Sequence, residues 1–352
     1  MSTALDFEKP TADMMGWGLE TDTNVDRMMA EDLAAERLEE NAPHICKSSG
    51  AKPVINQELF NKIVKLMDDL GMDEGLDLTF IEIAIYGSFL EWLRQLIGSC
   101  VASGEMRVST TRMMWEIFVL GELEELFGTV LAGPQSFAAF APYSYRAGRR
   151  LGNMNGGDGS YCSVHVEGML KYGKLPCFTP GLTEDSDTLP EPQNENTYRR
   201  WGGSAGNALM DKYASTAKRF LLTESERNTN DTDMAKNRLI TEFKPSMICS
   251  DWAFKPDYQH PTLKNPDGSP MWIFKRDTST SWAHNMSVVA FFACKGQWFV
   301  KIRNSWGMKF HKGWDYFVVP IEVFKSWLTA QYTDSRTIGN ITLVQSVPPV
   351  AW

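Results

Sequence analysis

The sequence predicts an α+β fold, in which a helical first half packs against a second half rich in antiparallel strands. Apolar residues recur at helical spacing in the first half, most clearly in residues 57–70. Runs of β-branched and aromatic residues dominate the second half, where residues 286–292 and 298–302 are joined by short turn-forming stretches. Helices and strands that occupy separate parts of a chain are typical of an α+β protein.

The composition is that of a folded protein with a substantial core. The 352 residues include 43% hydrophobic residues and 12 Trp, which excludes a wholly disordered chain. A chain of this length forms two domains or one large domain with insertions. We predict an acidic, helical N-terminal extension over residues 1–75 and a main domain over residues 76–352. Within that domain we expect a helical half at about 76–178, an insertion at about 179–237 and a β-rich half at about 238–352.

The negative charge of the chain is concentrated at its N-terminus. The formal net charge is −9, and residues 1–40 carry eleven acidic and three basic residues, a net of −8. The rest of the chain is therefore close to neutral. An acidic chain without a basic stripe argues against nucleic acid as the main partner. The acidic segment itself is typical of a solvated helix or tail.

The start of the chain and the cysteines bear on the compartment. No basic start followed by an apolar core is present, so we expect no secretory signal peptide. No run of about 18 apolar residues is present, so we expect no membrane span. The six cysteines are scattered without a paired spacing, and without an export signal we expect free thiols.

The helical half begins with two predicted helices before the first candidate nucleophile. Residues 23–40 form a weakly amphipathic helix, and Asn56 is expected to cap a firmer helix at residues 57–70, which Gly71 ends. The pattern is helical again over residues 88–96, and Gly98 breaks it. A further helix is expected to begin at Ser99 or Cys100 and to run to Ser109 or beyond.

A cysteine at the start of that helix has distinctive chemistry. The backbone N–H groups of a helix N-terminus stabilise negative charge, so Cys100 is expected to ionise more easily than an ordinary thiol. Cys162 follows Asp158 and Gly159 and also opens a predicted helix, which makes it the rival nucleophile. The other cysteines are interpreted as small buried hydrophobic residues.

In the β-rich half, a histidine and an asparagine lie at the ends of neighbouring predicted strands. His284 enters the strand at residues 286–292, and Asn304 follows the strand at residues 298–302. Adjacent antiparallel strands bring such positions within side-chain reach. A neutral amide that holds one ring nitrogen orients an imidazole for proton transfer with a nucleophile. The alternative is that Asn304 is only a turn residue.

The remaining segments are polar stretches and short elements. Residues 183–196 and 224–233 are polar and acidic, and a helix is predicted between them at residues 206–222. This region is interpreted as a solvated loop, with a lid or a docking surface as alternatives. A strand is expected at residues 246–252, and the tail adds a helix at 321–328 and a strand at 338–344.

Cys100, then His284, then Asn304-Ser305-Trp306-Gly307 is a combination that resembles the papain-like cysteine peptidases. In that family the Cys precedes the His and Asn by about 130–150 residues. Here the separations are 184 and 204 residues, and the excess is assigned to the insertion. The resemblance implies that a Cys100 thiolate attacks a peptide carbonyl and that His284 protonates the leaving amine. It also implies that Asn304 holds the other ring nitrogen and that Trp306 shields this hydrogen bond from water.

The resemblance extends to residues that would bind the substrate and the oxyanion. Gly156 and Gly157 resemble the segment that lines the substrate cleft, where a peptide adds as a strand; an ordinary loop is the alternative. Ser99 is expected to support Cys100. The family's oxyanion donor is a Gln six residues before the Cys, which is Arg94 here, so Gln95 is the candidate donor beside the Cys100 N–H.

Several departures separate this chain from secreted members of the family. Val101 stands where an aromatic residue is usual, and Leu96-Ile97 replaces a Gly-Cys pair. With the missing export signal and the glycine-rich residues 156–159, these features resemble papain-like proteins encoded by tailed bacteriophages. We therefore expect a location in the cytoplasm or the virion.

Three functional hypotheses follow from these observations. The first is an active cysteine peptidase acting on a peptide or protein substrate, without metal or other cofactor. The second is a catalytically weak or inactive papain-fold structural protein that binds other virion proteins. The third, an amidase of the cell-wall-hydrolase type, is disfavoured by the Asn-Ser-Trp-Gly turn.

Overall fold

The computed structural model describes residues 56–90, 95, 97–120, 139–177, 179, 181–182, 195–222, 225–228, 231–307, 310–311, 313–338 and 341–343. The predicted helix at residues 23–40, the departure at Arg94 and most of the polar stretch at residues 183–196 lie outside the described residues.

The helices of the described chain begin and end as follows: α1 Gln57–Asp69, α2 Phe80–Tyr86, α3 Cys100–Phe118, α4 Ala141–Leu151, α5 Cys162–Tyr172, α6 Glu195–Gly202, α7 Gly206–Ala217, α8 Thr232–Glu242 and α9 Ile321–Leu328. The strands are β1 Glu74–Asp77, β2 Phe220–Leu222, β3 Ser225–Arg227, β4 Ser246–Lys264, β5 Pro270–Cys294, β6 Gln297–Arg303, β7 Tyr316–Pro320, β8 Asp334–Ile338 and β9 Ile341–Leu343.

One predominantly antiparallel sheet forms the β-rich half, in the order β3-β8-β4-β5-β6-β7, with β1 pairing to β5 as well. β5 and β6 pair with Ser287 opposite Arg303. Extending that register by three residues places His284 opposite Trp306, just past the end of β6. The register of the sheet therefore brings the His284 segment to the Asn304 turn, as the sequence predicts.

The helical half packs on this sheet through α3. Every residue of α3 is buried, from Cys100 to Phe118. Gly104 lies so close to β5 that a Cβ at this position would overlap the side-chain oxygen of Asn285, and the Ser287 hydroxyl lies 3.4 Å from the Gly104 carbonyl oxygen. Only glycine allows this close approach of helix and strand. The helix that carries Cys100 is thus packed against the strand that carries His284.

Most predicted elements are confirmed, although β4 runs on to Lys264 and β5 begins as early as Pro270, both more than ten residues beyond the predicted strands. The Asn56 side chain caps α1 by accepting from the Leu59 N–H at 3.1 Å. α3 begins at Cys100, β6 and β7 form the antiparallel pair around Asn304, and α9 has the predicted bounds.

The predicted helix over residues 88–96 is wrong where the structure describes it. α2 ends earlier, at Tyr86, and is followed by Gly87, a C-cap with a left-handed φ of 82°. Residues 88–90 are not helical, and the Leu90 N–H donates instead to the Glu82 carboxylate at 2.8 Å. The buried Glu82 carboxylate therefore takes the Leu90 N–H as its backbone donor.

The predicted helix over residues 206–222 is too long. α7 ends at Ala217, and residues 220–222 form β2, which pairs with β9 more than 100 residues later. The local spacing of apolar residues cannot predict a strand partner that lies so far away in the sequence. The polar stretch at 224–233 likewise contains β3 and the start of α8, and the predicted strand at 338–344 is divided between β8 and β9.

The described part of the predicted insertion is not a solvated loop. Trp201 of α6 is fully buried, and its ring contacts those of Phe140, Tyr143 and Tyr213. α6 and α7 are therefore part of the core of the helical half.

Two cysteines are disulfide-bonded, so the expectation of free thiols is wrong for them. Cys162 at the start of α5 is joined to Cys249 of β4, with their Cα atoms 6.2 Å apart. The two are 87 residues apart in sequence, and only the packing of α5 on the sheet brings them together. Cys100, Cys177 and Cys294 are not disulfide-bonded, and Cys46 lies outside the described residues.

Candidate active site

His284 and Asn304 are joined by a hydrogen bond. The Nε2 atom of His284 lies 2.8 Å from the Oδ1 atom of Asn304, and both side chains are fully buried. An amide oxygen accepts, so Nε2 carries the proton and Nδ1 is the other, basic nitrogen. Nδ1 is buried without a hydrogen-bond partner in the described chain. The geometry leaves this nitrogen for a group outside the His284–Asn304 pair.

Trp306 covers the imidazole. The two ring centroids are 4.3 Å apart with an interplanar angle of 23°, so the rings are stacked. Trp306 is itself packed edge-on against Trp282 and Phe310. The stacked indole therefore covers the ring that is bonded to Asn304, and the role expected of Trp306, to shield this hydrogen bond from water, stays a prediction.

The environment of His284 disfavours its protonated form. Burial lowers its pKa, the hydrogen bond to Asn304 raises it, and the positive charge of Arg107 lowers it further, to about 3. The imidazole is therefore neutral at pH 7 in this arrangement. A nearby thiolate is the kind of charge that reverses this balance.

Cys100 lies at the first position of α3 and is fully buried. Ser99, the residue before it, accepts through its carbonyl oxygen from the Ser103 N–H at 3.0 Å. One turn further along the same helix, Gly104 contacts Asn285, the neighbour of His284. The start of α3 therefore lies beside the segment of β5 that carries the histidine.

Cys162, the rival nucleophile, is excluded by its disulfide bond with Cys249. The side-chain amide nitrogen of Asn285 lies 3.2 Å from the Cys162 sulfur and 3.1 Å from the Cys249 sulfur. The Cys162 sulfur at the start of α5 is therefore part of a disulfide bond that joins the helix to the sheet.

Gln95 is fixed between the turn before Cys100 and the turn after β6. Its N–H donates to the Ser305 carbonyl oxygen at 2.7 Å, and the Ser305 hydroxyl donates to its Oε1 at 2.6 Å. Its Nε2 donates to the Ile97 carbonyl oxygen at 2.7 Å. The side chain is buried and rigid, but its amide nitrogen is engaged by the turn that precedes the candidate nucleophile.

Arg107, two turns after Cys100 on α3, is a residue that the sequence analysis missed. Its Nη1 donates to the main-chain carbonyl oxygen of Asn304 and lies 3.2 Å from the Asp315 carboxylate. The Asn304 N–H in turn donates to the Asp315 carbonyl oxygen at 2.6 Å. The helix of Cys100 therefore holds the backbone of Asn304 directly. The position of an arginine between Met106 and Val108 in a predicted helix was the one indication in the sequence, but the sequence does not reveal which residue it contacts.

Arg107 belongs to a charge cluster of three cations and three carboxylates, all buried. Arg303 pairs with Glu82 at 2.6 Å and with Asp315 at 3.0 Å. The other members are Arg107, Lys301 and Asp77, and the last two pair at 2.8 Å. Such a cluster is costly to break, because a lone partner is left as an uncompensated buried charge. It fixes the base of the turn that presents Asn304.

Gly156 and Gly157 are exposed and lie in a glycine loop (residues 156–159). A Cβ atom at either of these two positions would meet nothing within 4 Å. Gly157 has a φ of +67°, and its carbonyl and that of Gly156 both accept from Nη2 of Arg149. Two successive carbonyls that face one donor are not those of an extended strand. The role expected of Gly156 and Gly157, to pair with a substrate backbone, stays a prediction, and the loop is open at both positions.

The helix α6 reaches the start of α3 through Tyr198, a second residue that the sequence analysis missed. Burial raises the pKa of the Tyr198 phenol, and the neighbouring hydroxyls of Ser103 and Ser99 oppose that rise. Tyr198 also packs edge-on against Tyr145. Ser99, the predicted supporting residue, thus lies under a tyrosine from the predicted insertion.

The described residues hold neither a metal-ligand cluster nor a membrane-spanning helix. No group of three or more His, Cys, Asp or Glu side chains is arranged to hold a metal ion within them. None of the helices in the described ranges is both long and apolar enough to cross a bilayer.

No protein-family model and no curated protein sequence matches the chain. Among solved structures it is similar to xylellain, a cysteine protease from Xylella fastidiosa, with a TM-score of 0.53 and 14% identity over 95% of this chain and 98% of that one. A procathepsin B from Trypanosoma congolense gives a TM-score of 0.46 and 12% identity over 92% and 99% of the two chains.

A digestive procathepsin L from Tenebrio molitor larval midgut gives a TM-score of 0.41 and 12% identity over 86% of this chain and 97% of that one. At 14% identity the likeness to xylellain concerns the fold alone. The chain therefore has the α+β fold of the papain-like cysteine proteases, with a helical half that carries Cys100 packed on a sheet that carries His284 and Asn304.

Proposed function

We propose that the chain is a papain-like cysteine peptidase that hydrolyses peptide bonds through Cys100, His284 and Asn304. The observation that carries this proposal is the hydrogen bond from His284 Nε2 to Asn304 Oδ1, which leaves Nδ1 without a partner among the described residues. A buried, unprotonated ring nitrogen on the strand that packs against the helix beginning with a cysteine can act as the proton acceptor that thiol activation requires.

In the acylation step, His284 Nδ1 takes the proton of the Cys100 thiol. The thiolate attacks the carbonyl carbon of the scissile peptide, which forms an S–C bond and a tetrahedral oxyanion. When the oxyanion collapses, the C–N bond breaks and His284 gives its proton to the leaving amine. The acyl group remains on Cys100 as a thioester.

Deacylation reverses the proton movements. His284 takes a proton from a water molecule, whose oxygen attacks the thioester carbonyl. The C–S bond then breaks, His284 returns its proton to the Cys100 sulfur, and the carboxylic acid product is released. The Cys100 N–H at the start of α3 and the Gln95 amide are the proposed oxyanion donors. Asn304 fixes the tautomer and the plane of His284 throughout, and Trp306 keeps water from that bond.

A peptidyl vinyl sulfone tests this proposal, because it reacts only with an activated thiol that also binds peptide. We expect stoichiometric labelling at Cys100, located by mass spectrometry of the digested protein. Labelling should be lost in His284→Ala, and Cys177→Ser should serve as a matched control in which another buried, non-disulfide cysteine is removed. Folded wild-type protein that is not labelled would contradict the peptidase proposal.

One pair of observations supports a second candidate, a papain-fold structural protein without turnover, such as a bacteriophage virion component. The pKa of His284 is lowered to about 3, first by burial, and the Gln95 amide nitrogen is engaged by the Ile97 carbonyl. Both features weaken catalysis. This candidate predicts no vinyl sulfone labelling, and co-purification with other virion proteins in the cytoplasm or in the assembled particle.

A further inference from the structure

The Cys162–Cys249 disulfide is a covalent link between the two halves of the molecule. Cys162 is the first residue of α5 in the helical half, and Cys249 lies in β4 of the sheet. In the antiparallel pairing of β4 with β5, Cys249 lies opposite Asn285, the residue that follows His284. The link therefore reaches the sheet beside the candidate catalytic base.

Asn285 connects this disulfide to the helix that begins at Cys100. Its Nδ2 atom lies 3.2 Å from the Cys162 sulfur and 3.1 Å from the Cys249 sulfur. Its Oδ1 atom is buried without a hydrogen-bond partner among the described residues, and it lies against Gly104 of α3, where a Cβ atom would overlap it. Helices α3 and α5 and strands β4 and β5 therefore meet around one side chain.

The Asn285 amide is better matched to reduced sulfurs than to a disulfide. Neutral sulfur is a weak hydrogen-bond acceptor, so a buried amide that donates only to a disulfide recovers little of its desolvation cost. A thiolate is an ionised acceptor, and hydrogen bonds to ionised groups are about twice as strong as neutral ones. Asn285 therefore stabilises the reduced pair more than it stabilises the disulfide.

Cys162 is the sulfur better placed to become that thiolate. It is the first residue of an 11-residue helix, and the N–H groups of a helix N-terminus stabilise negative charge. Cys249, by contrast, lies in the sheet and is paired on both sides, by β5 and by β8. In thiol–disulfide exchange the sulfur that forms the more stable thiolate leaves faster. These features favour attack on Cys249 and departure of Cys162.

The candidate catalytic pair is closed to solvent in the disulfide-bonded protein. Cys100, His284 and Asn285 are each 0% exposed. A peptide carbonyl must come within bonding distance of the Cys100 sulfur, so the oxidised form has to open before it can react. A covalent bond between α5 and β4, at the strand position beside His284, resists that opening.

We propose that the Cys162–Cys249 disulfide is a redox-sensitive clamp: the oxidised protein is the closed form, and reduction by a dithiol opens access to Cys100. As a means of controlling catalysis, the clamp rests on the proposed peptidase function. Because both sulfurs are buried, the reductant reaches them when the start of α5 opens locally. That helix start follows the exposed residues 155–158.

The exchange begins when a thiolate of the dithiol attacks the Cys249 sulfur. A mixed disulfide forms, the Cys162–Cys249 bond breaks, and its electron pair stays on the Cys162 sulfur as a thiolate beside Asn285. The second sulfur of the dithiol, once deprotonated, attacks the first one and releases the Cys249 thiolate. The dithiol thereby becomes a disulfide and gives two electrons to the protein. Of its two protons, one goes to Cys249 and the other to water.

The first experiment compares the oxidised and the reduced full-length protein. Reduction is by dithiothreitol, which is removed under argon. The second-order rate constant for labelling by a tripeptidyl vinyl sulfone is then measured on the Cys100 peptide alone by mass spectrometry. We expect the reduced form to react at least about tenfold faster, since the cross-link no longer restrains opening. The oxidised form should still be labelled to completion, but more slowly.

Two double variants serve as controls for this comparison. Alanine at both Cys162 and Cys249 should give the faster rate with and without dithiothreitol, which also shows that the reductant does not act on Cys100 itself. Alanine at both Cys177 and Cys294 removes two buried cysteines that are not disulfide-bonded, and it should leave the difference between the two forms intact.

The outcomes separate the clamp from the function on which it rests. Equal labelling rates in the oxidised and reduced wild type would overturn the clamp while the peptidase proposal stands. If neither form is labelled by the vinyl sulfone, the peptidase proposal fails, and the same comparison with iodoacetamide decides whether reduction opens access to Cys100. If circular dichroism shows that the reduced protein and the Cys162, Cys249 double variant are both unfolded, the disulfide is a structural cross-link and the clamp is overturned.

The second experiment tests the part played by Asn285. The fraction of reduced protein is measured at equilibrium over a series of ratios of reduced to oxidised dithiothreitol. We expect Asn285→Ala to need at least about a tenfold higher ratio for half reduction, because the thiolate loses its amide donor. Ser287→Ala is the matched control on β5: its hydroxyl lies 3.4 Å from the Gly104 carbonyl oxygen, and the half-reduction ratio should stay within about twofold of the wild type. An unchanged ratio in Asn285→Ala would overturn the inference, as would a folded wild type that stays oxidised in a large excess of dithiothreitol.

Discussion

Arg107, on the helix that begins at Cys100, donates a hydrogen bond to the main-chain carbonyl of Asn304, whose side chain holds His284. A single arginine thus links the helix of the candidate nucleophile to the turn of the orienting amide. Its positive charge also acts on the imidazole. The consequences of this link can be measured.

We expect Arg107→Met to raise the pKa of His284. Burial lowers this pKa most, the Asn304 hydrogen bond raises it, and the Arg107 charge lowers it further. Removing the Arg107 charge removes only the last of these three effects on the His284 pKa. The titration of His284 can be followed by NMR of ring-labelled histidine in a Cys100→Ser background. The same change should reduce the free energy of unfolding by about 3 kcal/mol, because Asp315 loses one of its two buried partners.

Arg112 offers the control for that substitution. It is a buried arginine on the same helix, but it pairs with Glu116 at 2.9 Å and donates to the Glu242 carbonyl oxygen at 2.6 Å. Arg112→Met should destabilise the protein without moving the His284 titration. An unchanged His284 pKa in Arg107→Met would contradict the electrostatic link.

The lowered pKa of His284 predicts acid sensitivity of the fold. A histidine with an unfolded pKa near 6.5 and a folded pKa of about 3 is neutral in both states above pH 6.5. As the pH falls below 6.5, the unfolded state binds a proton that the folded state does not, so stability is lost. Between pH 7 and pH 5 this loss is on the order of 2 kcal/mol.

Denaturant unfolding at the two pH values measures this contribution. The comparison is between Cys100→Ser and the double variant Cys100→Ser, His284→Gln, so that the thiol does not titrate together with the ring. The double variant should lose less stability on acidification. Equal losses in the two proteins would show that His284 is not buried in its neutral form.

The disulfide between Cys162 and Cys249 is expected to stabilise the packing of α5 on the sheet. It closes a loop of 87 residues between helix and strand, and a loop of this size is typically worth about 2–4 kcal/mol. Replacing both cysteines by alanine should lower the free energy of unfolding by that amount in non-reducing buffer. Vinyl sulfone labelling at Cys100 should remain, since Cys162 takes no part in the proposed chemistry.

Alanine at both Cys177 and Cys294 is the matched control for the disulfide. These buried residues are not disulfide-bonded, and burial raises the pKa of Cys177 to about 12. Their replacement removes two sulfurs without opening a cross-link. Equal free energies of unfolding for the two double variants, in oxidising as well as in reducing buffer, would show that the disulfide contributes nothing to stability.

The Gln95 amide is expected to matter for turnover more than for binding. Gln95→Ala should lower kcat for a peptide substrate by roughly 10²–10³-fold with a small change in KM, as for the loss of an oxyanion donor. Ser305→Ala removes only the hydroxyl that holds Gln95 Oε1, and it should cost about tenfold or less. If kcat is retained in Gln95→Ala, then Gln95 is a structural brace for the turn at Ile97.

The sequence alone determined the parts of this protein that depend on local chemistry. Helical spacing and the Asn56 cap predicted α1, and Gly98 with Ser99 predicted that Cys100 begins a helix. The strand patterns around Asn304 predicted the antiparallel pair β6 and β7. These signals suffice because hydrogen bonds within a turn, a cap or a hairpin involve residues close in sequence.

Only the tertiary structure decided the features that join distant residues. The Cys162–Cys249 disulfide, the contact of Arg107 with Asn304, the pairing of β2 with β9 and the Arg149 hydrogen bonds to Gly202 connect segments from about 50 to 200 residues apart. No local periodicity encodes such contacts, because they form when a buried charge, thiol or strand edge finds its partner as the core closes. The sequence motif therefore identified Cys100, His284 and Asn304, and the tertiary packing determines the surroundings in which each of them lies.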